Sequence, residues 1–501
     1  MIVASLCVLH SAIIPHMFNL FSKKVETLKE PKEPIFLLNS ASNKKEEFIS
    51  LKPGHAKVYS CGPTVYDNVH IGNLRAFLMA DILKRTLMFN GYRVESTMNF
   101  TDFGHLTDDA DAGEDKMMKG LKRDGQPVTL EAMRAMADKY IDRFLEDATQ
   151  MRFLPPTNWT RASDYVKQQI NLIETLEEKG YTYETSDGIY FDISRFPTYG
   201  VLGNIDINKM KDGARVEINP EKKHPADFAL WKKGELGWDS RWGKGFPGWH
   251  IECSAMAMAT LGKQLDIHTG GEDNKYTHHN AEIAQSESIT GKQFSKYWLH
   301  SAFMNIDNTK IAKSIGNAIS LKQLRDLGFS GDDYRYWLLT SHYRSPINFT
   351  TDALKASKQA LFRLKRHLFE EFKNAKGKTN EQYIAKFIKA INDDLDTPKA
   401  VALVWELIKD ASVPAGDKVT TIKKFDDVLA IGLNDKAEDV VRELGVIDMD
   451  EVPEAVQQLI NEREAARAVR NWEEADRLRE AINIKGFVLE DTPEGPKISK
   501  V

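Results

Sequence analysis

The sequence predicts an α/β fold in which a parallel sheet is split by an insertion and followed by an α-helical C-terminal region. Three observations carry this reading. Ala56-Lys57-Val58-Tyr59-Ser60 runs as a strand into a Cys61-Gly62-Pro63-Thr64 turn, an amphipathic helix follows, and Val94 to Phe100 forms a second strand. Strand, glycine turn, helix and strand make the βαβ unit of a Rossmann-like parallel sheet, whose strand ends collect ligands. Sheet character resumes much later at Leu265-Asp266-Ile267-His268, and from Leu321 to about Ile484 the pattern is almost wholly helical.

In chain order, residues 1–33 read as an N-terminal extension ending at the Pro31-Lys32-Glu33-Pro34 break. Met1 to His16 is apolar but lacks the basic n-region and small-residue cleavage site of a secretory signal, and Met17 offers a second start. Ile35 to Leu38 reads as a strand. Leu74, Phe77, Leu78, Ile82, Leu83 and Leu87 share one helical face, which ends near Asn90-Gly91. A helix from Leu130 to Met151 leads to Pro155-Pro156, a domain boundary. Residues 151–245 form the insertion, with a helix from Tyr165 to Lys179, a β-rich stretch around Gly188 to Asp192, and a glycine- and tryptophan-rich loop from Leu230 to Gly248. Gly270-Gly271 and a helix from about Thr277 to Ser288 then complete the sheet domain.

Three cysteines in 501 residues exclude a disulfide scaffold and fit a reducing compartment, so a cytoplasmic protein is expected. No apolar run reaches the ~18 residues of a membrane-spanning helix, so no membrane is expected. The net charge of −5 supplies no global attraction for nucleic acid, so any polyanion site must be local. Residues 351–390 carry ten bases against four acids, either such a site or a solvated helix face.

Three groups of residues carry chemistry. Thr64 to Asn73 lies on the strand-to-helix turn, where Gly72 admits a close approach, the helix N-terminus favours anionic oxygens and His70 can donate to a phosphate. Lys310-Ile311-Ala312-Lys313-Ser314, beside Gly316, sets two lysines three apart on a loop able to close over a triphosphate. The third is Gly248 to Met256, with His268, Gly270-Gly271-Glu272-Asp273 and His278-His279-Asn280-Ala281-Glu282. His278 and Glu282 are i and i+4 neighbours on a helix, which suits two ligands of one ion. With Cys61 and Cys253 near adjacent strand ends, the four match the number and donor types of a tetrahedral zinc site, although either cysteine alone reads equally as a small buried apolar residue.

In this order the three groups resemble the class I aminoacyl-tRNA synthetases. Cys61-Gly62-Pro63-Thr64-Val65-Tyr66-Asp67 and Gly248-Trp249-His250-Ile251-Glu252-Cys253-Ser254-Ala255-Met256 resemble the cysteinyl-tRNA synthetase family in particular, over about residues 35–501. The resemblance aligns His70 to Asn73 with the His-Ile-Gly-His signature and Lys310 to Ser314 with Lys-Met-Ser-Lys-Ser. Asn73 replaces the second histidine with an amide that can donate but not become cationic. Ile311 and Ala312 replace Met and Ser, and Asn280 stands where relatives often carry Glu. The implied organisation is a first catalytic half at 34–150, the insertion at 151–245, a second half with the zinc site at 246–320, a stem-contact region at 321–353, a helical bundle at 354–440 and an anticodon-binding domain at 441–501. In that last domain Arg467, Trp472, Asp476 and Arg479 are candidates for reading unstacked bases. It holds nine bases and fourteen acids, so recognition there must be short-range.

What the resemblance implies is activation of L-cysteine by ATP and its transfer to the 3′ end of tRNA(Cys), by a monomer. His70, Asn73, Lys310 and Lys313 are the implied catalytic groups. ATP is implied to meet Thr64, His70, Gly72, Asn73, Gly270, Gly271, Asp273 and Lys313, with Mg²⁺ accompanying pyrophosphate. Cysteine is implied to meet Cys61, Trp249 and Asp273, and one Zn²⁺ on Cys61, Cys253, His278 and Glu282 to select its thiol. Two alternatives stand beside this: a cysteine ligase of the mycothiol type, which lacks the long helical tail, and a catalytically silent tRNA-binding paralogue.

Overall fold

The structure, a computed structural model, describes residues 33–103, 115–205, 219–311, 316–372, 375–436, 440, 449–492 and 495–500. The N-terminal extension up to residue 32, and Ala312, Lys313 and Ser314, lie outside the described residues.

A hairpin of β1 (Phe36–Asn39) and β2 (Lys44–Glu47) precedes the first βαβ unit. That unit is β3 (His55–Ser60), α1 (Ile71–Phe89) and β4 (Arg93–Phe100), the two strands pairing in parallel. Buried Ile71, Leu74, Leu78, Ile82 and Leu83 form the inner stripe of α1, and Asn90 followed by Gly91, at φ 89°, ends it. Next come α2 (Lys116–Arg123), α3 (Leu130–Gln150), started by the Thr129 side chain accepting from Ala132 N, β5 (Asn158–Arg161) and α4 (Val166–Glu178).

The insertion contains β6 (Thr182–Thr185), β7 (Gly188–Phe191), β8 (Phe228–Trp238) and β9 (Gly245–Pro247), a four-stranded antiparallel sheet. The expected loop over Leu230 to Gly248 is therefore mostly strand. Its glycines mark close strand contact instead: a Cβ on Gly245 would meet Lys232 O at 2.1 Å, and one on Gly248 would meet Ala229 O at 2.1 Å.

The chain then returns through α5 (Trp249–Leu261), β10 (Leu265–Gly271), α6 (Glu272–Tyr276), α7 (His278–Thr290) and β11 (Ser295–Ser301). The central sheet runs β11-β10-β3-β4-β5, every pair parallel. The first half of the chain builds outward from β3 in one direction and the second half from β10 in the other. Strand order thus reverses between β3 and β10, where a doubly wound sheet opens a crevice at its carboxyl edge.

Beyond the sheet, β12 (Met304–Ile306) turns into β13 (Thr309–Lys310), α8 (Leu321–Asp326) and α9 (Gly331–Leu339) follow, and β14 (Ile347–Phe349) comes back to pair with β12. Four helices make the bundle: α10 (Thr351–Arg366), α11 (Glu381–Ile391), α12 (Thr397–Lys409) and α13 (Ala415–Leu429). The last unit is α14 (Glu454–Ala468), α15 (Trp472–Ile484) and a hairpin of β15 (Phe487–Thr492) and β16 (Gly495–Lys500) with its own core of Val456, Ile460, Ile482 and Leu489. Among the described residues the C-terminal region is thus helical except for β14 and this hairpin.

Buried Arg335 locks bundle to sheet domain. It donates to Asp81 Oδ2 on α1 at 2.7 Å, to Met151 O at 2.8 Å and to Leu429 O at 2.7 Å. Removing one partner of such a pair costs about 3–5 kcal/mol, because the other charge is left buried. Within the basic stretch 351–390, buried Lys365 pairs with Asp332 on α9 and buried Arg366 with Glu370 four residues further along its own chain segment, so neither charge faces outward to a polyanion.

Candidate active site and metal centre

A cleft of about 420 Å³ opens where the strand order reverses. Cys61, Thr64, His70, Gly72 and Asn73 line one side, and Trp249, Cys253, Gly271, Asp273 and His278 line the other. Lys310 and Ile311 close it from the β12–β13 hairpin. Gly270 lies behind this lining, where a Cβ would meet His279 Cε1 at 2.7 Å.

His70 caps α1. Its Nδ1 accepts from Asn73 N, and Asn73 Oδ1 accepts from His70 N, both at 3.3 Å. This reciprocal capping box gives the amide at position 73 a structural task that a second imidazole would perform differently, and aims the start of the helix at the cleft. Gly62 is required beside it, because a Cβ there would lie 1.7 Å from Asn99 O on β4.

Four donors converge next to this turn. One ligand atom each from Cys61, Cys253, His278 and Glu282 lies within 4.8 Å of the others. His278 Nε2 is 3.4 Å from Cys253 Sγ and 3.1 Å from Glu282 Oε1, the helical i,i+4 relation having turned both side chains the same way. His250 Nδ1 shares a hydrogen bond with His278 Nδ1 at 2.9 Å, which leaves Nε2 for the cluster, and His268 Nε2 holds Glu282 Oε2 at 3.0 Å. These outer contacts orient ligands as metal sites require.

The electrostatics fit a dication. Burial would protonate Glu282, yet His268 and His278 pull its carboxyl down to about 2. Burial also disfavours a charged His278, but Cys253 and Glu282 carry it up to about 10, while a hydrogen bond from Cys61 lowers Cys253 to about 6. Burial raises Cys61. Two sulfurs, one imidazole and one carboxylate form a zinc-type donor set whose protons a metal would displace. A second grouping, Cys61, His268, His279 and Glu282, shares two of these residues. His279 there is a neutral imidazole, held by burial and its histidine neighbours well below its usual range.

Trp249 packs at a tilt of 31° against His278, ring centroids 4.2 Å apart, and forms a wall beside the donors. Asn280, where relatives often carry Glu, is buried and pinned: its Nδ2 donates to Leu202 O and its Oδ1 accepts from Leu202 N. It fastens the insertion to α7. The sequence reading passed over Lys116 and Phe303, both on the cleft, and the orienting role of His250.

Residues 47–359 match the tRNA synthetases class I (C) catalytic domain, and residues 449–495 match the cysteinyl-tRNA ligase anticodon binding domain. The cysteine–tRNA ligase 1 of Burkholderia lata is 43% identical over 472 residues, 93% of this chain and 97% of that protein. The chain belongs to the cysteinyl-tRNA ligases. The cysteine–tRNA ligase of Treponema denticola is 40% identical over 91% of this chain and 97% of its own length. Among solved structures, the Mycobacterium tuberculosis methionyl-tRNA synthetase with methionyl-adenylate superposes at a TM-score of 0.52 with 13% identity, covering 80% of this chain and 96% of that one. The Agrobacterium radiobacter LeuRS–tRNA–LeuAMS complex gives 0.58 with 11% identity over 80% and 86%. At such identities the likeness shows the class I fold alone.

The anticodon-domain match covers the surface that carries the four remaining expected residues. Trp472, Asp476 and Arg479 are exposed at i, i+4 and i+7 on α15, on one helical face. Arg467 sits with its guanidinium 6.0 Å from the Trp472 ring and donates to Asp491 at 2.7 Å. Among the described residues no helix is long and apolar enough to cross a membrane.

Proposed function

We propose that this ligase activates L-cysteine with ATP and transfers it to the 3′ end of tRNA(Cys), with zinc choosing the thiol. The observation that carries the reading is the cluster of Cys61, Cys253, His278 and Glu282, the first three of which line the same cleft as the capped start of α1. A zinc ion there supplies a soft Lewis acid that a substrate thiolate can join and a serine hydroxyl joins poorly.

The chain's own groups do the rest. The N-terminus of α1 and His70 receive the phosphates, and Gly72 keeps the approach open. Asp273 and Trp249 hold the amino acid, with Gly271 beside the nucleotide. The cysteine carboxylate attacks the α-phosphorus in line and pyrophosphate leaves with Mg²⁺, while Lys310 and Lys313 offset charge on the phosphate oxygens. A hydroxyl of the terminal adenosine then attacks the activated carbonyl and AMP departs. On α15, Trp472 stacks an anticodon base between Arg467 and Arg479. The mycothiol-type alternative has no use for that helix, and the Asn73 capping box keeps the signature turn intact, which weighs against a silent paralogue.

Zinc stoichiometry and cysteine-dependent ATP–pyrophosphate exchange on one preparation test this. About one zinc per chain with exchange is expected; zinc-replete protein without exchange refutes it.

A further inference from the structure

Arg75 is a buried cation, 4% exposed, on the inward face of α1. An aliphatic residue is expected in the stripe that Ile71, Leu78 and Ile82 define. Its partners are four main-chain carbonyls: Nη1 donates to Ala302 O at 2.7 Å and Phe303 O at 2.8 Å, and Nη2 donates to His342 O at 3.1 Å and to Ser345 O. Burial lowers it to about 10, so it is charged at neutral pH.

The four carbonyls come from two segments. Residues 302–303 lead into β12, and residues 342–345 lead into β14. β12 pairs with β14 through Met304 and Ile347, and with β13 through Asn305 and Lys310. The planar fork therefore grips both roots of the small sheet that presents Lys310. Phe303, whose carbonyl is one of the four acceptors, places its half-exposed ring 5.8 Å from the Lys310 ammonium. At the other end of the link, Arg75 stands five residues beyond His70, about 7.5 Å along the helix axis. Two further bonds fix that first turn: Tyr334 donates to Ile71 O at 2.8 Å, and Ile71 N donates to Ile319 O at 2.8 Å, on the far limb of the lysine loop.

We propose that Arg75 is a positioning residue, which sets Lys310 in register with His70 by clamping the strand roots that carry the lysine. The inference rests on the functional reading above and goes beyond it. No bond to substrate is involved; a guanidinium is used because a rigid fork can satisfy four carbonyls that a flexible ammonium reaches fewer at a time.

The test is a double-mutant cycle on pyrophosphate exchange with Arg75→Met and Lys310→Met, alongside zinc content and the KM for cysteine. Arg75→Met is expected to lower kcat about 10- to 100-fold, the scale of a 1 Å misplacement, with zinc content and the cysteine KM near wild type. In the Lys310→Met background it should cost less than about threefold, because the two act as one unit. Arg75→Lys, which keeps the charge without the fork, should lie between, and read in both backgrounds it supplies the same coupling if Arg75→Met fails to fold. An equal loss in both backgrounds, or an unchanged kcat in the single variant, overturns the inference. Zinc-replete wild type without exchange would overturn the functional reading as well, which separates the two failures.

Discussion

Replacing Gly72 with alanine adds one methyl group at the second position of α1, and it should lower activity without lowering stability. Gly72 is not among the positive-φ residues, so alanine is allowed there and gains up to about 1 kcal/mol of helix propensity. Its Cβ, however, would lie 2.8 Å from Ile311 Cδ1 and 3.0 Å from both Nδ1 and Cε1 of His70. Ile311 can swing its terminal methyl away. The imidazole cannot move as freely, because its Nδ1 already accepts from Asn73 N at a long 3.3 Å, and any displacement ends that bond or turns Nε2 from the cleft. A lost hydrogen bond to a charged phosphate is worth about 1.5–3 kcal/mol, or roughly 10- to 150-fold in kcat/KM for ATP. The assay is the ATP dependence of cysteine-dependent exchange beside a thermal melt. That loss is expected with an unchanged or slightly raised melting temperature. Exchange within twofold of wild type refutes it, and a large fall in melting temperature would refute the claim that the loss is local.

Cys253→Ser should reduce bound zinc below half of wild type by elemental analysis; full retention would remove Cys253 from the donor set. Trp472→Ala should weaken tRNA binding about 5- to 150-fold, the worth of about 1–3 kcal/mol of base stacking, and leave pyrophosphate exchange unchanged. Equal binding by both proteins would take the exposed face of α15 out of recognition. Asp81 supplies a pH dependence: burial alone would raise its carboxyl, but Arg85 and Arg335 hold it below the usual carboxylate range. A depressed folded value contributes stability that is complete above the unfolded value of ~3.9 and is lost as pH falls through the folded one. The melting-temperature gap between wild type and Asp81→Asn should therefore be widest at neutral pH and shrink below about pH 4. A constant gap from pH 7 to 3 would show that the charge of Asp81 does no work at the junction.

Much of this was legible in the sequence because the relevant patterns were local. The period of Leu74, Leu78 and Ile82 fixed α1 to within a turn, and the i,i+4 spacing of His278 and Glu282 anticipated two donors on one face. The place of Cys61 and Cys253 near adjacent strand ends suggests the four-donor set, but spacing alone does not bring the donors together: parallel pairing of β3 with β10 joins residues some 200 apart. The strands β8 and β9 were read as loop because glycine usually signals a turn; here it answers to the carbonyl of an adjacent strand. At Asn73, whose amide cannot become cationic, the structure adds a capping bond, and Asn280, which stands where relatives often carry Glu while the implied ligand Glu282 is in place, is held by its bonds to Leu202; neither bond is written in a residue pattern. Arg75 did leave a signal, a lone cation on an apolar helical stripe, but its partners are backbone atoms that no residue pattern encodes.

The central claim is that metal selects the amino acid, and one measurement bears on it most directly: the ratio of kcat/KM for cysteine to that for serine in pyrophosphate exchange, on zinc-loaded protein. A single apolar contact could supply only about 10²-fold discrimination, so the account predicts a ratio well above 10². A ratio near or below that value with one zinc bound per chain would contradict it.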